Sequence, residues 1–252
     1  MKTKKNIAIS LLTCNEFTML KPCIDSLINS DLKNHNFKLF HYDNNSKDEG
    51  NNYINSLDIP TSQFISNENK GIVIPRIKLY DNIVEEGGFD FLLEIHPDML
   101  FPEVWLEPLL KIDNSKTLIL QPHIYTRRKL TTLTEFKKYI KDTKEEIIYD
   151  KCRQVHPWLI KLNLVNNVGG YYDPIFSPQR YEDDDLVYRV LKNNYLIRST
   201  NQSNVYHQGE ASRSKLLGNK GANHGNKFLK KHGLKSKQTF IEMFETHPAI
   251  RL

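Results

Sequence analysis

The chain has 252 residues, with 35 Lys and Arg against 30 Asp and Glu, and a formal net charge of +5. Its 39% hydrophobic and 26% charged content is that of a globular protein and excludes a disordered chain, a collagen and a coiled coil. A net charge of +5 over this length is too diffuse to mark a nucleic-acid binder, although it tolerates phosphate-bearing ligands or peripheral contact with an anionic membrane surface.

Three cysteines, Cys14, Cys23 and Cys152, cannot pair completely and form no C-x-x-C motif, which fits a reducing compartment. No apolar run approaches the roughly 18 residues of a membrane span. The basic segment from Met1 to Lys5 leads into a run too short for a signal peptide. The expected location is cytoplasmic, with room for peripheral contact at the inner face of a membrane.

Asn6 to Leu12 read as a short buried strand, and Glu16 to Ser30 place Leu20, Cys23, Ile24, Leu27 and Ile28 on one helical face. Phe37 to Tyr42 form a second strand ending in the turn cluster Asp43-Asn44-Asn45-Ser46, and Asp48 to Leu57 a second helix. After Gly71, the residues Val73, Ile77, Tyr80 and Val84 line up as a third helix, stopped by Gly87-Gly88. Phe89 to Ile95 then make the nearly unbroken apolar run of a central strand covered on both faces. Alternating strands and helices imply an α/β fold with a mostly parallel sheet, whose ligands sit beyond the carboxyl ends of the strands. Three polar loops follow those strands and should share one rim: Thr13-Cys14-Asn15-Glu16, Asp43-Asn44-Asn45-Ser46 and His96-Pro97-Asp98.

Thr126 to Asp150 read as a charge-rich insertion with one amphipathic helix, and Trp158 to Val165 as a short helix closed by Gly169-Gly170. Glu182-Asp183-Asp184-Asp185 opens a helix through Leu186, Val190 and Leu191, followed by strands at Tyr195 to Thr200 and Val205 to His207. From Ser212 to Lys237 the chain is basic and reads as a mobile tail with a late helix near Asn223 to Lys231.

The acidic run has two readings. One or two carboxylates at a helix start stabilise its dipole, but four adjacent ones repel one another, and near a cleft that repulsion suits a general base. Asp98, at the end of a central strand, is either part of a Pro-containing turn or a ligand for a divalent cation such as Mg²⁺ or Mn²⁺. His207 at a strand end, taken alone, is more often a satisfied core or surface residue than a ligand.

Taken in order, these motifs, with Asn69-Lys70-Gly71, Arg76, Gly169-Gly170-Tyr171-Tyr172-Asp173 and Glu182-Asp183-x-Asp185-Leu186-x-x-Arg189, resemble a glycosyltransferase of family 2. The resemblance runs from about Asn6 to His207, with Thr126 to Asp150 unmatched. It implies the GT-A fold, with a Rossmann-like mostly parallel central sheet flanked by helices and an acceptor-side subregion. Residues 1–125 would be the nucleotide-sugar-binding half, 126–211 the acceptor-binding and catalytic half, and 212–252 a basic tail acting as a lid, all in one integrated domain.

The same resemblance implies roles. Thr13, Asn15, Glu16, Asp43 and Asn44 would hold the nucleotide, Asp43 accepting from a uracil-like imide, with Lys70 and Arg76 near the base or diphosphate. His96-Pro97-Asp98 stands for the Asp-x-Asp metal motif, so Asp98 and His207 would hold Mn²⁺ or Mg²⁺, and His96 departs from the expected carboxylate. Asp183 would deprotonate the acceptor hydroxyl, with Glu182 and Asp185 orienting a sugar and Arg213 or Lys215 adding to the diphosphate clamp. Tyr171, Tyr172 and Trp158 offer faces for sugar rings. The implied activity is inverting, metal-dependent transfer from a nucleotide sugar, UDP-linked by preference, to a saccharide or glycoconjugate hydroxyl. The alternatives are a non-catalytic nucleotide- or sugar-binding relative with a degenerate metal motif, a nucleotidyltransferase, disfavoured because the first loop has no glycine, and a nucleic-acid binder acting through the basic tail.

Overall fold

The computed structural model describes residues 3–126, 130–140, 145–152, 156–209, 223–244 and 250–251. Its first elements are β1 (Asn6–Thr13), α1 (Phe17–Ile28), β2 (Asn36–Asp43), α2 (Gly50–Asn55), β3 (Thr61–Ile65), α3 (Val73–Glu86) and β4 (Phe91–Ile95). Successive side chains of β1 face opposite sides of the sheet. Ile7, Ile9 and Leu11 join Leu20, Ile24 and Leu27 of α1 in one core, while Ala8 joins Val73, Leu79 and Ile83 of α3 in the other. Coverage on both faces is why β1 and β4 are nearly continuous apolar runs. Gly87 ends α3 at φ +70°, a conformation that costs glycine little. Strand β3 is not foreseen from the sequence, because Thr61-Ser62-Gln63 lacks apolar alternation; it forms the sheet edge.

The later elements are β5 (Met99–Leu100), α4 (Leu106–Lys111), β6 (Thr117–Leu120), β7 (His123–Thr126), α5 (Leu133–Lys137), β8 (Ile148–Tyr149), β9 (Trp158–Lys161), α6 (Glu182–Lys192), β10 (Leu196–Thr200), β11 (Asn204–His207), α7 (His224–His232), α8 (Lys237–Ile241) and β12 (Ile250–Arg251). The helix expected from Trp158 is instead β9, followed by a 3-10 helix at Leu162–Val168. Trp158-Leu159-Ile160 is a continuous apolar run, and it zips antiparallel between β4 and β6, with Leu159 facing both Leu93 and Leu120.

The large sheet runs β3-β2-β1-β4-β9-β6-β10-β8, its first four strands parallel. A second sheet, β12-β7-β11-β5, carries His207 at the end of β11. Helix α5 supplies the amphipathic element expected in the insertion, and its Phe136 packs on Tyr125 and Tyr206 of this smaller sheet. Among the described residues no helix is long and apolar enough to cross a membrane.

The expected mobile tail is corrected over residues 223–244. Phe228 of α7 and Phe240 of α8 are both at 0% exposure and belong to the same core as α3 and α6. The two helices are therefore part of the domain, not a lid. Phe228→Ala should cost about 3–5 kcal/mol, read as a lower urea midpoint at unchanged slope; unaltered stability would show that α7 does not hold the core.

Candidate active site

Strands β1 and β2 stop level with one another, since Thr13 pairs with Asp43, and β4 stops two residues short of them, Ile95 pairing with Leu11. Their loops therefore meet on one rim. At the end of β1, Thr13 Oγ1 lies 2.8 Å from His41 Nε2, and Asn15, at φ +56°, donates its N–H to Ser46 Oγ and accepts from the Lys47 N–H. Glu16 accepts from the Cys14 N–H. The buried Asp43 carboxylate accepts from the Ser46 N–H and from Asn51 Nδ2, at 2.9 Å for the latter.

Asn44 bonds Asn69 and the Gly71 carbonyl and accepts from the Lys70 N–H, so the second and third loops are tied together. Gly71, at φ +82°, allows the backbone to approach Pro178, whose carbonyl accepts from the Ile72 and Val73 N–H groups. A Cβ on residue 71 would lie 2.5 Å from that oxygen. The nucleotide-side loop is thus locked against the segment leading to α6. Lys70 remains on the rim, 43% exposed and 3.7 Å from Glu68.

Arg76 requires correction. Its side chain is 1% exposed, and its guanidinium bonds Ser10, the Ile95 carbonyl and, at 3.2 Å, the Glu94 carboxylate. It is a core cation beneath the rim and not a diphosphate contact. Glu94 also takes the Tyr171 hydroxyl, the Tyr172 hydroxyl at 3.0 Å and His156 Nε2 at 3.1 Å. Burial raises its carboxyl pKa, but His156, Arg76 and these hydrogen bonds hold it down at about 2. Tyr171 and Tyr172 stack on each other and are buried, and Trp158 is buried with its Nε1 on Gln121, so none of the three is a sugar platform.

Above this lock sits a histidine cluster. His96 stacks on His156 with ring centres 4.6 Å apart and meets His207 edge-on at 5.1 Å. Asp98 lies 3.2 Å from His207 Nε2 and accepts the Gly209 N–H at 3.0 Å. Burial pushes the Asp98 carboxyl up, but His207 and the backbone N–H groups outweigh it and hold it below the usual range. One donor atom from each of His96, Asp98 and His207 falls within 4.8 Å of the others, and the same holds for Glu94, His96 and His156. In the latter group Arg76 already neutralises Glu94, so a cation there would meet a fixed positive charge. The former fits a divalent cation better: Asp98 has no Lys or Arg partner among the described residues, and the buried His207 Nδ1 has no hydrogen-bond partner.

At the start of α6, Glu182, Asp184 and Asp185 are buried and Asp183 keeps solvent contact. Asp183 accepts the Asp184 N–H at 2.9 Å. Asp185, at 0% exposure, is corrected from a sugar-orienting role: it pairs with Arg189 at 2.8 Å, Lys231 at 2.6 Å and His232 at 2.8 Å. Arg189 in turn holds the carbonyls of Val168, Gly170 and Tyr171. The Tyr172 hydroxyl lies 3.2 Å from His156 Nε2 and 3.0 Å from Glu94, and burial with the charges of Glu94, Tyr171, Asp183 and Glu182 raises its phenol well above the ordinary value. Arg213 and Lys215 lie outside the described residues.

Sequence reasoning missed His41, Asn51, Gln63, Glu94 and His156. For Glu94 a signal was present, since a carboxylate inside the run Phe91-Leu92-Leu93-Glu94-Ile95 must be paired when that strand is buried.

No protein-family profile matches the chain, and no curated protein sequence does. Its fold does match solved structures. GalNAc-T7, solved with UDP, GalNAc and Mn²⁺, gives a TM-score of 0.65 at 15% identity over 96% of this chain and 57% of that one. Residues 1–349 of S. aureus TarS in complex with UDP-GlcNAc give 0.61 at 15% identity, over 82% of this chain and 59% of that one. The same TarS segment with UDP gives 0.59 at 16% identity, over 81% and 60%. The chain therefore has the GT-A glycosyltransferase fold, and it spans 57–60% of the length of these solved chains.

Burial pushes the His41 imidazole down to about 4, with Asp43 acting weakly the other way. Its folded pKa lies below the ordinary value of about 6.5, so the unfolded chain takes up the proton first. The resulting stability is complete above about pH 6.5 and is lost as pH falls toward 4, by about 3 kcal/mol. His41→Gln should flatten that part of the profile in urea titrations at successive pH values; parallel wild-type and variant curves would show that the ring does not titrate in this window.

Proposed function

We propose that this chain is a metal-dependent, inverting glycosyltransferase that moves a sugar from a UDP-linked donor to a hydroxyl of a saccharide or glycoconjugate. The observation that carries this reading is the meeting of His96, Asp98 and His207 just after β4, beside β1 whose Thr13 pairs with Asp43, with Asp183 keeping solvent contact at the start of α6. The ligands of the solved neighbours, UDP in TarS and UDP with Mn²⁺ in GalNAc-T7, support it.

In this reading Thr13, Asn15, Glu16, Asp43 and Asn44 bind the base and ribose, and Lys70 approaches the diphosphate. Asp98, His207 and His96 would hold the cation, and two imidazoles with one carboxylate favour Mn²⁺ over Mg²⁺. When bound, the cation supplies positive charge against the diphosphate leaving group. Asp183 takes the proton of the acceptor hydroxyl while its oxygen bonds to the anomeric carbon. The bond from that carbon to the diphosphate breaks on the opposite face, which gives inversion. Glu182 adds negative charge beside the base.

Asp183→Asn should lower turnover by roughly 10²–10⁴-fold while UDP affinity measured by calorimetry stays within about threefold of wild type, since the base does not touch the nucleotide. Near-normal turnover would remove Asp183 from the role. Independently, UDP with Mn²⁺ at a hundredfold over its dissociation constant should stabilise the protein by about 2.7 kcal/mol. Chelator, or Asp98→Asn, should abolish that thermal shift; a shift that survives both would exclude cation-assisted binding at this site.

A further inference from the structure

One half-buried amide is linked, through His41 and Asn51, to both strand-end residues that the proposed function assigns to the base. Gln63 of β3 pairs with His41 of β2, and β2 pairs Asp43 with Thr13 of β1. With a side-chain period of two, Thr13, His41, Asp43 and Gln63 share one face of the sheet. Gln63 Nε2 lies 2.9 Å from Asn51 Oδ1 and 3.2 Å from His41 Nδ1. An amide nitrogen only donates. His41 Nδ1 is therefore the acceptor, and the neutral ring carries its hydrogen on Nε2. That hydrogen points to Thr13 Oγ1, 2.8 Å away. Thr13 thus receives a hydrogen bond from within the protein, and its own hydroxyl hydrogen has no acceptor among the described residues.

The second arm works the same way. Because Asn51 Oδ1 is held by Gln63, the other end of that amide, Nδ2, faces Asp43 Oδ2 at 2.9 Å. A half-turn of Asn51 would set its carbonyl against the carboxylate. Gln63 blocks that turn.

We propose that Gln63 is the positioning residue that sets the polarity of the base-reading pair, directing the Thr13 hydroxyl as a donor and, through Asn51, holding in place the Asp43 carboxylate that accepts beside it. The assignment rests on the nucleotide-sugar reading above. A donor beside an acceptor complements an imide edge, in which a carbonyl accepts and the adjacent N–H donates, as in uracil. Cytosine seated the same way turns both contacts round: its amino group meets the Thr13 hydrogen, and its bare ring nitrogen meets Asp43. Burial of His41, which keeps its ring neutral, preserves the relay across ordinary pH.

The decisive substitution is Gln63→Glu, because a carboxylate only accepts. A neutral His41 then carries its hydrogen on Nδ1, its Nε2 accepts from Thr13, and the donor is withdrawn from the base. Calorimetry with UDP, CDP and pyrophosphate, each with Mn²⁺, reads the result. Wild type should prefer UDP to CDP, and the variant should lose roughly 10- to 100-fold in UDP affinity, with pyrophosphate unchanged and the UDP preference gone. Thr13→Val, which removes the hydroxyl with little change of shape, should reproduce the UDP loss. UDP and CDP falling together, with their ratio kept, would make Gln63 merely structural and overturn the proposal. Nitrogen-15 NMR of His41 tests the relay without any ligand: hydrogen on Nε2 in wild type supports it, and hydrogen on Nδ1 overturns it. Wild-type protein that shows the expected tautomer but binds neither nucleotide would sink the functional reading and the base-reading role together, leaving the relay as a feature of the fold alone.

Discussion

A carboxylate buried in the middle of a sheet is tolerable only if its charge is answered from several directions. Glu94 is answered by Arg76 from α3, by His156 just before β9, and by two tyrosine hydroxyls from the loop before α6. These partners come from both halves of the chain. Arg76 also takes carbonyl oxygens at Ser10 of β1 and Ile95 of β4, so the pair clamps the strand ends that carry the rim. Removing either charge would leave the other stranded in the core, a loss of about 3–5 kcal/mol. The position of His96, one residue beyond β4 and stacked on His156, follows directly from this clamp.

A second buried carboxylate does comparable work at the start of α6. Asp185 gathers Arg189 from its own helix with Lys231 and His232 from α7, and Arg189 carries the effect on to the carbonyls of the 168–171 loop. That loop presents Tyr171 and Tyr172 to Glu94. The two ionic centres are therefore joined through a pair of stacked rings. Helix α7 belongs to the site's foundation although it lies beyond the region of family resemblance.

Much of the first 125 residues was legible because their strands and helices follow simple periods: Leu20, Cys23, Ile24 and Leu27 recur at helical spacing, and Phe91 to Ile95 is a buried run. Trp158 to Ile160 was misread because a short apolar run has no period that separates strand from helix. Asp185 and Arg76 were assigned to ligands because a charge near an expected site looks functional when its partner is remote in sequence. Lys231 and His232 lie more than forty residues beyond Asp185, and nothing local announces them. His41 and Gln63 stayed hidden for a related reason. Their roles come from the register between β2 and β3, and β3 is an edge strand without an apolar stripe.

The distribution of charge bears on how a diphosphate could be held. The chain carries a net +5, yet several of its cations nearest the rim are committed below it: Arg76 to Glu94, and Arg189 and Lys231 to Asp185. The carboxylates of the loops after β1, β2 and β4 and of the α6 start are Glu16, Asp43, Asp98, Glu182 and Asp183, most of them buried, and Lys70 is an exposed cation already near Glu68. A bare diphosphate approaching such a surface is repelled at short range, where screening by salt is weakest. On the proposed reading, the compensating charge has to arrive with the donor, as its divalent-cation complex, and the two imidazoles beside Asp98 are suited to receive it. On this reading the cation carries charge that Arg76 does not, because Arg76, which the resemblance set near the base or diphosphate, is committed to Glu94 and the strand carbonyls.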